Sequence, residues 1–147
     1  MTQDELKAFV RGTMNYFNNH GAAPEIGVPF PKNSEFELLD YTGVIGISGA
    51  RKGAVFITST TGLFKKMVEQ IDPTQASNEL ALLDMVGEVA NTLAGNAQGS
   101  FGSDFMISVP AVITGRPKDV HLPVHIPVFI IPFKWQGQQA MLGVGIE

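Results

Sequence analysis

Three residues carry the clearest chemistry in this sequence: Asp84, Glu88 and Asn91. Their spacings of four and three, at roughly 100° per helical residue, place all three within about 60° of arc on one helix edge. Carboxylates can pair with a cation or move a proton. A carboxamide can donate to and accept from one water at the same time. An Asn inside a helix is also mildly anomalous, because its amide competes with the backbone. The plain alternative is that this stripe is only the solvated side of a helix.

Other candidates are weaker. The 147 residues contain no Cys, which excludes a disulfide framework, a thiolate nucleophile and a Cys-ligated metal. His121 and His125 are four apart, but Pro123 and Pro127 argue against a helix there, and on a strand the pair would lie about 13 Å apart. No metal site is expected. Gly95, Gly99 and Gly102 lack a Gly-Lys-Ser/Thr ending and read as a helix stop, not a phosphate cradle. Arg51-Lys52 reads as a solvated turn tip, and Ser59, Thr60, Thr61 and Ser100 have no His or acid at a telling spacing.

The helix that must position the stripe is predicted over residues 77–97, capped by Ser77. Leu82, Met85, Val86, Val89 and Leu93 recur every three or four residues as its buried side. Gly87 and Ala90 fall between the polar members and should leave the backbone approachable. Upstream, Thr2-x-x-Glu5 is a capping-box pattern opening a helix to about residue 18, followed by a Pro- and Gly-rich irregular piece over 21–34. Strands are expected over 35–48 and 54–59, joined by the turn 49–53, then a short helix from Thr60 or Thr61 to Val68 that Asp72-Pro73 ends. Strands over 105–114, 124–135 and 140–146 complete the chain, with a turn at 136–139. Pro110, Pro123, Pro127 and Pro132 belong at edges, bulges or strand ends. The run 124–131 is apolar on both alternations, as for a strand buried on both sides or one at a subunit contact. Strands grouped in hairpins and helices between them give the α+β class, an antiparallel sheet packed against a long central helix and shorter helices.

The length suits a single domain over 1–147. With 44% hydrophobic and 16% charged residues the chain is too apolar to be disordered, and its net charge of -4 does not suit a nucleic-acid binder. The polar N-terminus lacks the apolar core of a signal peptide, and the run from Leu122 to Phe133 is too short and Pro-rich to span a bilayer. The expectation is a cytoplasmic protein with no membrane and no nucleic-acid partner.

The segment from Asp84 to Asn96 resembles the signature of the CheC/CheX/FliY phosphatases: Asp or Ser, three residues, Glu, two residues, Asn, on a long surface helix. The stretch from Ile107 to Gly115 is similar to the strand that follows it in CheX-like proteins. CheC-type members carry two signatures and this chain has one, so the resemblance is closest to CheX. It implies a CheC-like fold and a protein phosphatase acting on the aspartyl-phosphate of a CheY-like response regulator. It implies catalytic roles for Asn91, which would orient the attacking water, and Glu88, which would pair with the regulator's lysine. Glu88 as a general base is the weaker option, since a metaphosphate-like transition state asks little of a base. Asp84 would be a docking contact or a support for Glu88. No cofactor is expected on this chain, Mg²⁺ is expected on the regulator, and CheX-like proteins imply a homodimer. The alternative is a non-catalytic response-regulator or flagellar-switch-type binding module, which the retention of both Glu88 and Asn91 argues against. A small-molecule-binding domain would need an enclosed apolar pocket.

Overall fold

The first helix, α1 (Gln3–Asn18), starts where the capping box requires: Thr2 Oγ1 accepts from the Glu5 amide at 3.1 Å, and the Glu5 carboxylate accepts from the Thr2 amide at 2.9 Å. The computed structural model describes residues 1–33, 36–101, 105–117 and 127–147. After α1 come two very short strands, β1 (Glu25–Ile26) and β2 (Phe30–Pro31), within the expected irregular piece. Then follow β3 (Tyr41–Gly49), β4 (Gly53–Ser59), α2 (Thr61–Ile71), a single 3-10 turn over Pro73–Gln75, α3 (Glu79–Phe101), β5 (Phe105–Ile107), β6 (Ala111–Thr114), β7 (Phe129–Trp135) and β8 (Gln138–Ile146). The strands form one antiparallel sheet in the order β1-β7-β8-β4-β3-β5, with β2 also paired to β7 and β6 also paired to β3.

Alternation along the strands separates two apolar faces. Ile45, Val55, Ile57, Ile131, Phe133, Leu142 and Val144 point into the main core with the three helices. Phe56, Ile130 and Val128 form a smaller cluster with Leu38. In the described part of the doubly apolar run, Ile130 and Ile131 are both 0% exposed and face the two opposite clusters, while Phe129 is half-buried and Pro127 exposed. Residues 124–126 of that run lie outside the described residues, as do His121, Pro123, His125 and Gly102.

Several boundaries differ from expectation, each for a tertiary reason. β3 begins at Tyr41, not residue 35. Its partner β4 ends opposite Tyr41 at Ser59, and the Leu39 amide donates instead to Thr58 Oγ1 at 2.8 Å. The Thr60 side chain makes no capping bond to α2. Asp40 does that work, accepting from the Thr61 amide at 2.9 Å while pairing with Arg116 at 2.9 Å. Burial would raise the Asp40 pKa, but the Thr61 amide and Arg116 outweigh it and hold the carboxyl below its ordinary range. α2 continues to Ile71, and α3 is capped by Asn78, not Ser77: Asn78 Oδ1 accepts from the Leu80 and Ala81 amides.

The glycines at 95 and 99 do not stop α3, which runs to Phe101. Packing overrides propensity there: Ala97 is buried, and Gln98 Nε2 donates to the Phe105 carbonyl at 2.5 Å. The strand expected over 105–114 is broken into β5 and β6 by Ser108–Pro110, where Pro110 takes the bulge position foreseen for it. Pro132 lies inside β7, not at an end, yet spares the β8 ladder. Its carbonyl accepts from Gly27 on the opposite side, the side its missing N–H would also face.

Arg51 is not a solvated tip. It forms a forked ion pair with Glu5 at 2.6 and 3.1 Å and donates from Nε to the Glu147 carbonyl, tying the β3–β4 turn to α1 and to the last residue.

Candidate functional site

α3 is held from below along most of its length. Leu82, Met85, Val86, Val89 and Leu93 are all buried, as the spacing predicts. At its start, the Tyr41 hydroxyl of β3 donates to the Glu79 carboxylate at 2.8 Å. With the inner face fixed, Asp84, Glu88 and Asn91 stand together on the exposed side. From Glu88 to Asn91 the helix rises about 4.5 Å, and from Asp84 to Asn91 about 10 Å. Among the described residues none of the three side chains has a hydrogen-bonding or ion-pair partner. Both carboxylates and the carboxamide are thus displayed on a stiff support without internal commitments.

The small residues between them behave differently from expectation. Gly87 is buried, and a Cβ there would meet the Pro110 ring at 3.2 Å. Ala90 is 1% exposed and packs on Gly43 of β3. The backbone is therefore occupied at both positions, not open to a ligand. Small side chains here let the β5–β6 connection and the sheet approach the helix closely.

Two open grooves flank the stripe. One, of about 590 Å³, lies between α3 and the β5–β6 connection and is lined by Asp84, Glu88, Asn91, Ile107, Val109 and Pro110. The other, of about 620 Å³, lies between α1 and α3 and includes Arg11, Tyr16, His20, Thr92 and Asn96. Burial, with a smaller contribution from the Glu88 charge, pushes the Tyr16 phenol up to about 12. Tyr16 also packs against His20, ring centroids 4.4 Å apart, and the Tyr16 carbonyl lies 2.7 Å from His20 Nδ1.

Sequence reasoning missed Tyr16 and Val109 as neighbours of the stripe. Neither had a local signal; their placement depends on α1 and the β5–β6 connection folding onto α3. The described residues contain no His/Cys/Asp/Glu group able to hold a metal ion, and no helix among them is long and apolar enough to cross a membrane.

A single antiparallel sheet backing one long helix, with an acid and an amide three residues apart on its outer edge, defines a CheC-like α+β protein. The family model described as chemotaxis phosphatase CheX matches residues 41–134, well over half of the chain, and the chain belongs to the CheX family. Solved structures agree. A CheX from Desulfovibrio desulfuricans is similar over 98% of this chain and 99% of its own, at 27% identity and TM-score 0.84. CheX from Vibrio vulnificus is similar over 98% and 99%, at 25% identity and TM-score 0.83. The CheX of a CheX–CheY–BeF3–Mg²⁺ complex from Borrelia burgdorferi shares the fold at TM-score 0.78, with 18% identity over 99% of each chain. No curated protein matches the chain.

Proposed function

We propose that this protein hydrolyses the aspartyl-phosphate of a CheY-like response regulator, and that Glu88 and Asn91 do the work on this chain. The observation that carries the reading is the joint exposure of these two uncommitted side chains on one edge of a helix whose opposite face is locked into the core. Family membership and the Borrelia burgdorferi CheX–CheY complex support the substrate class.

In this reading the regulator brings its phosphorylated aspartate, a lysine and Mg²⁺, and the metal neutralises charge on the transferring phosphoryl group. Asn91 enters that site. Its amide nitrogen donates to a water and its carbonyl accepts from it, aligning the water's free lone pair with phosphorus. The new P–O bond forms as the bond to the aspartate oxygen breaks, leaving a free carboxylate and inorganic phosphate. Positioning of this kind contributes several kcal/mol to the rate. Glu88 pairs with the regulator's lysine and fixes the docking register. Asp84, about 6 Å further along the axis, adds a docking charge. No cofactor on this chain is needed, and the active form is a homodimer.

The test is phosphate release from CheY-like receivers phosphorylated in Mg²⁺. Catalytic amounts of the protein should accelerate it, and a protein that binds a phosphorylated receiver without accelerating release would instead be a binding module. Sedimentation of the purified chain reports whether it dimerises.

A further inference from the structure

The β5–β6 connection is a rigid lip on the groove that holds Glu88 and Asn91. The Ser108 amide donates to the Gly46 carbonyl at 2.9 Å, Ser108 Oγ accepts from the Gly46 amide at 2.8 Å, and Ser108 Oγ donates onward to the Val109 carbonyl at 2.9 Å. One serine thus satisfies both backbone groups of a β3 residue and holds the bulge. Two residues later Pro110 wedges against Gly87, one residue before Glu88 on α3. Between clamp and wedge stands Val109, 86% exposed and lining the same groove as Asp84, Glu88 and Asn91.

An isolated exposed valine on a protein surface needs no explanation. This one is pinned from both sides at the rim of a site that works only by entering another molecule. Asn91 has a short side chain, so its amide reaches a partner's phosphoryl group only if the partner's surface closes against α3 and the groove beside it. Val109 is then covered. The groove calls for a partner surface with a cation facing the acids beside an apolar patch facing Val109. A receiver domain with its lysine next to the phosphorylated aspartate supplies the cation.

We propose that Val109 is a docking anchor for the phosphorylated regulator, a positioning residue that holds the partner's surface against the groove beside Asn91. This rests on the functional reading above. It is tested with Val109→Ser, Val109→Ala and the conservative Val109→Ile, reading kcat and KM for phosphorylated receivers and, separately, Kd for a panel of CheY-like receivers loaded with beryllofluoride and Mg²⁺. Val109→Ser should raise KM and Kd by about tenfold, the equivalent of losing most of a buried valine. Val109→Ala should raise both by a smaller factor, and Val109→Ile should behave as wild type. In all three kcat and the thermal midpoint should stay close to wild type. Unchanged KM and Kd in Val109→Ser overturn the anchor, as does a fall in kcat alone. Wild-type binding of loaded receivers without phosphate release would sink the catalytic reading, while Kd would still decide the role of Val109. Failure of the wild type to bind any loaded receiver overturns both.

Discussion

Gly43 of β3 and Ala90 of α3 meet so closely that a Cβ on Gly43 would lie 2.9 Å from both the Ala90 Cβ and the Val86 carbonyl oxygen. Ala90 is the residue before Asn91, so this contact sets the height of the proposed water-positioning amide above the sheet. Gly43→Ala must push the helix or the strand away. It should cost about 1–3 kcal/mol in chemical denaturation, with phosphatase activity falling by more than that loss of folded protein explains.

Asn91→Ala should reduce phosphate release from the regulator by about 100-fold or more, the scale of losing one aligned polar group in a transition state. The residue is exposed and makes no bond among the described residues, so the thermal midpoint should not move. A variant that keeps full activity would refute the role assigned to Asn91. Glu88→Gln should act mainly on KM if its charge serves docking as proposed, and a higher salt concentration should then narrow the difference from wild type.

The Arg51–Glu5 fork should be visible in acid. Its hydrogen bond to Arg51 holds the Glu5 carboxyl below the usual carboxylate range. A lowered folded-state pKa contributes stability above the unfolded pKa and loses it as pH falls through the folded one. Glu5→Ala should cost about 1–2 kcal/mol near neutrality through the lost cap and pair, and this deficit should shrink as pH drops below about 4.

Alkaline stability tests the placement of Tyr16. With its phenol raised to about 12, the folded state favours the neutral ring. Its contribution is complete below the unfolded pKa of about 10 and is lost as pH rises towards 12. Tyr16→Phe should therefore lose less stability than wild type between pH 10 and 12, measured by urea midpoints across that range. If the two chains lose stability in parallel, the phenol is not held in this environment.

Much of the fold was legible because its signals are local. The capping box at Thr2 and Glu5 places the start of α1, and the apolar spacing from Leu82 to Leu93 gives the buried face of α3. Other features depended on contacts that no local pattern records. The cap of α2 comes from Asp40, 21 residues before the Thr61 amide that donates to it. Arg51 looked like a solvated tip because its two partners, Glu5 and Glu147, lie at opposite ends of the chain. Gly95 and Gly99 carry stop signals that the packing of Ala97 and the Gln98 bond to Phe105 override.

By itself the sequence determined that Asp84, Glu88 and Asn91 share one helix edge, because helical periodicity is a property of the backbone and needs no neighbours. Only the tertiary structure decided that this edge faces outward, that Pro110 and Gly43 close over Gly87 and Ala90, and that Val109 and Tyr16 flank the stripe. Those outcomes follow from which surfaces α3 buries against β3 and the β5–β6 connection, and burial is settled by segments far apart in the chain meeting in space.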